Sequence, residues 1–297
     1  MRIFLFMLMQ SAILVVVGFI GFIVMSAFDI QLDQNSYISM FVGSLIFGFA
    51  GSLISLFLSK TMCIKSYGVK LIKTPMNSDE MFIYQTVSNL ALKSGLKMPE
   101  VGIYNSSDPN AFATGYSKDK ALVAVSSGLL RSMGRTEIAA GLGHEMRHVK
   151  NGDMVTMALL QGVLNTFVYF FSYVIAFAII AAMNKNRKSG SSTSMSSSIM
   201  YRTISSFIQM ILGVLASLVL MWFSRHREYK ADAGSARLNG KYEMIRALQA
   251  LSGGSPVKSK DKYMQALCIN GSMDFSELFR THPPIEKRIK ALEDLIL

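Results

Sequence analysis

The stretch RTEIAAGLGHEMRHVKN, residues 135–151, decides the fold of the polar part of this chain. Its composition predicts one continuous helix, with Ser132 as the cap before it and Gly152 as the residue that ends it. His144 and His148 are four residues apart. They therefore lie on one face of the helix, one turn apart, where both imidazoles can bind the same metal ion.

A carboxylate accompanies the two histidines. Glu145 directly follows the first of them, so it can reach a water molecule bound to the same metal. Zinc suits such a site, because imidazole and carboxylate ligands around a tetrahedral ion leave one position for water. The pattern by itself also fits a surface helix that carries two unrelated histidines, so the metal site requires a third ligand.

The third ligand is predicted in the segment EYKAD, residues 228–232. Glu228 can complete the metal site, and Asp232, one helical turn later, can hydrogen-bond the outer nitrogen of a ligand histidine. Taken alone, Glu228 is one charge in the solvated run from Arg225 to Lys230. Beside a His-Glu-x-x-His helix, ligation of one zinc ion per chain is the stronger interpretation.

Four long apolar runs dominate the rest of the chain, at residues 3–28, 38–58, 154–183 and 203–223. The first two are long enough to cross a bilayer and are predicted to form a transmembrane hairpin. Their connection contains two aspartates and no basic residue, whereas four lysines follow the second run, at Lys60, Lys65, Lys70 and Lys73. The positive-inside rule therefore places the N-terminus and the residues after the hairpin in the cytoplasm.

The third and fourth apolar runs allow two interpretations. They can cross the membrane, but the Ser-rich loop 184–202 between them carries four basic residues and would then break the positive-inside rule. They can instead pack as buried helices against the catalytic part. Either arrangement returns the chain to the same side, so His148 and Glu228 can meet.

The remaining polar segments predict a mainly helical α+β unit with a small sheet. An amphipathic helix is expected at residues 78–95, and strands are expected at 100–104, 111–115 and 121–126, the last two as a hairpin. Pro283-Pro284 opens a final short helix. The predicted domains are a transmembrane hairpin (1–60), the first part of a cytoplasmic domain with the His-Glu-x-x-His helix (61–153), two further hydrophobic helices (154–223) and the second part of that domain with the third zinc ligand (224–297).

Composition excludes several other classes of protein. The formal net charge is +11, but the basic residues form no stripe interleaved with aromatics, so no nucleic-acid partner is expected. Cys63 and Cys268 have no metal-ligand spacing and fit reduced thiols. A transporter would place ionisable groups inside the apolar runs, and a structural zinc scaffold would not need Glu145.

At this point the chain resembles the HtpX family of bacterial heat-shock membrane metalloproteases, which are related to the CaaX prenyl proteases. The likeness covers nearly the whole chain and rests on segments in a matching order: DPNAFATG (108–115), HEMRH (144–148), NGDMVT (151–156), SRHRE (224–228), ADAGS (231–235) and THPP (281–284). One departure is Gly143, where such proteins usually carry alanine. Together with Gly141, it costs the helix roughly 1 kcal/mol per glycine.

The resemblance implies a zincin-like domain on transmembrane helices, with zinc at His144, His148 and Glu228 and with Glu145 as the catalytic base. It further implies an enzyme of the bacterial inner membrane, with its active site in the cytoplasm, that degrades damaged membrane proteins under stress. Self-cleavage fits such an enzyme. Besides these proteins, the lipid bilayer is the expected partner.

Four further positions have two interpretations each. Asn110, Ala111 and Phe112 begin a predicted edge strand, which either binds an extended peptide by adding it as a strand or forms an ordinary hairpin. His282 either caps the last helix or assists the oxyanion near the active site. The cluster RHR at residues 225–227 either meets the substrate or contacts lipid headgroups, and lipid is the simpler interpretation.

Overall fold

The computed structural model describes residues 34–184, 194–252 and 282–296, together with scattered helical positions between residues 12 and 26. These residues form two units. Among the described residues, the first comprises those up to residue 54 and those between 156 and 220, and the second comprises 55–155 and those from 221 onward. The described elements are α1 (Gln34–Tyr67), β1 (Lys70–Leu71), α2 (Ser78–Ser94), β2 (Glu100–Tyr104), β3 (Ala111–Thr114), β4 (Leu122–Ser126), α3 (Ser127–Ser132), α4 (Arg135–Asn151), α5 (Asp153–Asn184), α6 (Ser194–Asn239), α7 (Lys241–Ser252) and α8 (Ile285–Glu293).

Three of the described helices are long and apolar enough to cross a membrane: Asn35–Tyr67, Asp153–Met183 and Ser198–Asn239. The most apolar windows of the last two are only 33% and 6% buried. Helices that packed as a protein core would be hydrophobic and buried all round, so this exposure favours contact with lipid. Most of the first apolar run, and residues 185–193 of the Ser-rich loop, lie outside the described residues.

In the first unit, polar side chains of α5 form hydrogen bonds with each other and with α1. Gln161 donates to the side chain of Asn165 at 2.8 Å, and Asn165 donates to the carbonyl of Gly48 on α1 at 3.3 Å. A Cβ at Gly48 would lie 2.4 Å from Oγ1 of Thr166. Small residues that allow helices to approach this closely, with hydrogen bonds between them, are typical of membrane-helix packing.

The second unit contains the predicted small sheet, in the order β1-β2-β4-β3. β2 pairs with β4 in parallel, while β1 and β3 pair antiparallel to their neighbours. The predicted strands and the β3–β4 hairpin are therefore confirmed, and β3 lies at an edge. Helices α2 and α4 both contribute buried side chains to one hydrophobic cluster with the sheet, including Ile83, Val87, Leu142 and Met146. The mainly helical α+β prediction is confirmed.

Helix α4 ends as predicted but begins differently. Gly152 closes it with a positive φ of 71° and donates its N–H to the carbonyl of Val149 at 3.1 Å. The prediction that Ser132 caps this helix was wrong, because Ser132 is the last residue of the short helix α3. The cap is Gly134, whose N–H donates to the carboxylate of Glu137 at 2.7 Å.

A close contact between helices explains the unusual glycine in α4. A Cβ at Gly143 would lie 2.1 Å from Nδ2 of Asn239 and 2.7 Å from Oγ of Ser235, both on α6. At Gly141 an added Cβ would meet nothing within 4 Å. The first glycine therefore allows α4 and α6 to approach, and the second has no such packing role.

Candidate metal centre

Helices α4 and α6 bring the three predicted ligands to one point. The Nε2 atoms of His144 and His148 lie 3.1 Å apart. Each lies 3.3 Å from one oxygen of Glu228, so the carboxylate spans the two rings. Among the described residues, these three form a group of metal-ligand type whose donor atoms all lie within 4.8 Å of one another.

The spacing of the donor atoms fits a tetrahedral zinc ion. Zinc–nitrogen and zinc–oxygen bonds of about 2.0–2.1 Å separate the ligands of a tetrahedron by about 3.3 Å, which matches the observed distances. His144 and Glu228 are each only 2% exposed. Three acceptor atoms converging in a buried place repel one another unless a proton or a metal cation lies between them, and their spacing fits a bound metal ion.

An aspartate holds the outer nitrogen of each histidine. Nδ1 of His144 lies 2.8 Å from Oδ1 of Asp232, as predicted, and Nδ1 of His148 lies 2.6 Å from Oδ2 of Asp153. Because a carboxylate accepts from Nδ1–H, both rings have their Nε2 lone pairs available for a metal. The sequence reasoning missed Asp153, although it directly follows the glycine that ends α4.

The same carboxylates favour protonation of the histidines. Burial lowers the pKa of His148, but the hydrogen bonds to Asp153 and Glu228 outweigh burial and raise that pKa to about 10. The pKa of His144 is also raised, because Asp232 and Glu228 outweigh its burial. A metal ion at Nε2 therefore competes with a proton.

The carboxyl group of Glu145 lies between the metal site and the edge strand. Its Oε2 accepts the N–H of Ala113 on β3 at 2.9 Å, and the residue is only 6% exposed. Burial raises the pKa of this carboxyl group, against the attraction of His144 and His148. A carboxylate with a raised pKa is suited to accepting and returning a proton near neutral pH.

The first residues of the edge strand are buried. Asn110 accepts the N–H of Ser126 with its carbonyl at 2.8 Å, and it donates its own N–H to that residue's Oγ at 3.0 Å. Ala111 is 1% exposed. The ring of Phe112 packs between Tyr67 and Tyr104, with centroids 5.3 and 5.6 Å away. In this strand, contact with a peptide therefore involves the backbone edge and not the side chain of Phe112.

His282 reaches the metal centre through Glu228. Its Nδ1 lies 2.7 Å from Oε2 of that carboxylate, while its Nε2 is buried without a hydrogen-bond partner among the described residues. The structure thus places His282 beside the predicted ligands. Pro284, not His282, is the N-cap of α8.

Two arginines lie next to the two aspartates: Arg288, to which the sequence reasoning gave no role, and Arg227, which it assigned to the cluster that meets substrate or lipid headgroups. Arg288 of α8 donates to both oxygens of Asp232, at 2.7 and 2.6 Å. Nη1 of Arg227 lies 3.8 Å from Oδ2 of Asp153, so this member of the basic cluster faces the site. Its neighbour His226 stacks on Trp222. Arg288 is three residues after Ile285 and four before the buried Leu292. Helical periodicity therefore places it on the apolar face of α8, unlike Lys287 and Lys290, and this signal could have found it.

An apolar cavity adjoins the metal centre. It holds about 10 Å³, room for about one water molecule, and contacts both Ala111 of the edge strand and His144. Apolar side chains of α3, α4 and α7 line most of it, including Leu129, Ile138, Met244 and Leu248. A cavity of this size is too small for a side chain of a peptide, so it is a packing gap beside the metal site.

Comparison with known proteins agrees with this geometry. Residues 78–296 match peptidase family M48. A protein named Protease HtpX from Haemophilus influenzae (strain PittGG) is 50% identical over 295 residues, covering 99% of this chain and 100% of the relative. The Protease HtpX of Klebsiella pneumoniae is 46% identical over 293 residues, covering 98% of this chain and 97% of its own.

A solved structure shares the fold. The crystal structure of S. mikatae Ste24p superposes with a TM-score of 0.58 over 98% of this chain and 67% of its own, at 19% sequence identity. The match in family covers most of the chain and includes both α4 and α6. The chain therefore belongs to peptidase family M48 and is a metalloprotease with apolar helices typical of a membrane protein.

Proposed function

We propose that this chain is a zinc-dependent endopeptidase of the bacterial inner membrane that cleaves misfolded or damaged membrane proteins on the cytoplasmic side. The observation that carries the proposal is the ligand set of His144, His148 and Glu228, with Glu145 adjacent. The donor atoms lie 3.1–3.3 Å apart, as tetrahedral zinc requires. Zinc at this position would lower the pKa of its water and polarise the carbonyl of the scissile bond.

Residues of this chain then have defined roles in peptide hydrolysis. Glu145 takes a proton from the attacking water and delivers it to the leaving amine, for which its raised pKa is suited. Asp232 and Asp153 keep the two histidines oriented. His282, whose Nδ1 lies 2.7 Å from Oε2 of Glu228, assists the developing oxyanion.

The edge strand β3 supports binding of an extended substrate. Ala113 turns its N–H away from β4 and towards Glu145, so the outer edge of β3 faces the catalytic carboxylate. A peptide added along this edge would bind through its backbone, which gives broad sequence tolerance. Unfolded segments supply such peptides, which supports misfolded proteins as substrates.

The charge distribution supports the cytoplasmic orientation. Lys60 and Lys65 lie in the last two turns of α1, and Lys70 and Lys73 follow it. Basic residues next to a spanning helix stay on the cytoplasmic side. Self-cleavage is part of the proposal, because segments of the same chain lie on that side.

Replacement of the catalytic base tests the proposal. In detergent with zinc, wild type should cleave an unfolded membrane protein, and Glu145→Gln should lose at least about a hundredfold of that rate, as expected for a general base. The variant should retain zinc, because its three ligands are intact. Glu286→Gln, at an exposed acid of α8, is the matched control and should cleave normally.

Two outcomes would contradict the proposal. Equal cleavage by wild type and Glu145→Gln would assign the activity to another protease. Equal cleavage of the native and the unfolded form of one membrane-protein substrate would contradict the preference for damaged proteins.

A further inference from the structure

Arg288, a buried arginine near the end of the chain, contacts the carboxylates of Asp232 and Glu228 at the metal centre. Arg288 lies on α8, is 1% exposed and ranks first by volume among the fully buried side chains of the described residues. A guanidinium group withdrawn from water is costly unless carboxylates pair with it. The carboxylates that pair with Arg288 therefore show which interactions keep its charge buried.

Arg288 binds the carboxylate that orients the first histidine. Its Nε and Nη2 atoms donate to the two oxygens of Asp232 at 2.7 and 2.6 Å. Oδ1 of Asp232 in turn accepts from Nδ1 of His144 at 2.8 Å. A bidentate pair of this geometry fixes the plane of the carboxylate and not only its distance. The orientation of His144 is thus set by a residue 144 positions further along the chain.

The same arginine lies beside the third ligand. Its Nη1 is 3.7 Å from Oε2 of Glu228, beyond hydrogen-bonding distance but close enough for attraction. His282, which precedes α8, holds the same oxygen at 2.7 Å. Residues 282–293 therefore contact Glu228 and Asp232, which are one turn apart on α6.

His148 is likewise held by an aspartate with an arginine nearby, but that arginine is paired less tightly. Asp153 holds Nδ1 of His148, but the nearest guanidinium nitrogen of Arg227 is 3.8 Å away, and that side chain is 17% exposed. A looser and more solvated arginine fixes its carboxylate less strongly. The two histidines therefore depend to different degrees on arginine.

We propose that Arg288 is a positioning residue of the metal site, which acts through Asp232 and couples the docking of helix α8 to metal binding. Arg288 supplies no ligand. It orders Asp232, Asp232 orders His144, and the ordered site binds metal more tightly. Because coupling between two equilibria is reciprocal, bound metal in turn stabilises the docked position of α8. The inference rests on the zinc site of the proposed function.

The first test measures zinc affinity in full-length detergent-solubilised protein by competition with a chromogenic chelator. Arg288→Met, of similar length but uncharged, should weaken zinc binding about tenfold or more, the range found when partners of metal ligands are removed. Lys287→Met, at the exposed neighbouring position of the same helix, should stay within about twofold of wild type.

A double substitution separates action through Asp232 from a general effect on structure. Asp232→Asn alone should also weaken zinc binding about tenfold or more. If Arg288 acts through Asp232, the double variant Arg288→Met/Asp232→Asn should bind zinc no more weakly than the weaker single variant. Losses that multiply in the double variant would overturn the inference.

The second test measures docking of α8 directly, in the Glu145→Gln variant, which keeps the zinc ligands but should not cleave itself. Limited proteolysis near its C-terminus by an added protease should be slowed by zinc, because metal and docked helix stabilise each other. Equal cleavage rates with and without zinc would overturn the coupling. Should Arg288→Met fail to fold, Arg288→Lys keeps the charge without the bidentate fork and should lose an intermediate part of the zinc affinity.

The two proposals fail in different ways. If wild type binds no zinc, the proposed zinc site is wrong and this inference falls with it. If wild type binds zinc and the folded Arg288 variants bind it equally well, only the positioning role is wrong.

Discussion

Two glycines in α4 should respond in opposite directions to the same substitution. Gly141 and Gly143 are two residues apart in one helix, and alanine favours a helix over glycine by roughly 1 kcal/mol. At Gly141 the new Cβ meets nothing within 4 Å. Gly141→Ala should therefore increase the free energy of unfolding by about 0.5–1 kcal/mol.

At Gly143 the same Cβ enters an occupied space. It would lie 2.1 Å from Nδ2 of Asn239, which donates to the carbonyl of Ala139 at 3.2 Å, and 2.7 Å from Oγ of Ser235, which donates to that of Ala140 at 2.5 Å. Moving these side chains breaks buried hydrogen bonds at about 1 kcal/mol each. The loss exceeds the gain in helix propensity, so Gly143→Ala should lower stability by about 1 kcal/mol.

Thermal unfolding of the metal-free protein in detergent measures this difference without a contribution from metal affinity. The two variants should differ by about 2 kcal/mol, which for a domain of this size moves the melting temperature by about 4–8 °C. Asn239→Ala removes the contacting side chain, so Gly143→Ala should be tolerated better in that background. A rise in melting temperature for Gly143→Ala equal to that for Gly141→Ala would refute the close packing of α4 against α6.

Two further predictions concern the metal centre itself. Asp153→Asn should weaken zinc binding about tenfold to a hundredfold, because it removes the charged acceptor of His148 Nδ1–H. Competition with a chelator measures the zinc affinity of this variant. An unchanged affinity would show that the contact with Asp153 does not orient His148. Zinc affinity should rise with pH, because metal binds the neutral ring while the carboxylates raise the pKa of His148 to about 10. Each displaced proton should change the apparent affinity about tenfold per pH unit in titrations between pH 6 and 8, and a pH-independent affinity would contradict this competition.

Local patterns predicted most of the elements correctly. The period of α2 and α4, the short apolar runs of β2 and β4, and the glycines after α2 and α4 depend on neighbours within a few residues. The wrong prediction that Ser132 caps α4 also came from a local pattern alone. A serine before a helix is a good cap, but here the preceding residues form the separate helix α3, so the chain had two adjacent helices where one pattern was expected.

The ligand set of the candidate site was also predictable from sequence. Histidines four apart with a glutamate between them, and a second motif with carboxylates four apart, have spacings that only a shared helical face explains. Asp232 was found for this reason. Asp153 was missed because it lies across a turn from His148, where periodicity gives no guide, although the adjacent Gly152 marked the turn.

The sequence by itself therefore determined the helices, the membrane-length apolar segments and the chemical types at the metal centre, because all of these follow from spacing along the chain. The tertiary structure decided which residues contact Glu145, Glu228 and Asp232. It brings Ala113 against Glu145, His282 against Glu228 and Arg288 against Asp232. These contacts join residues 32 to 56 positions apart, and only the packing of separate helices and strands sets such distances, since no local periodicity extends that far.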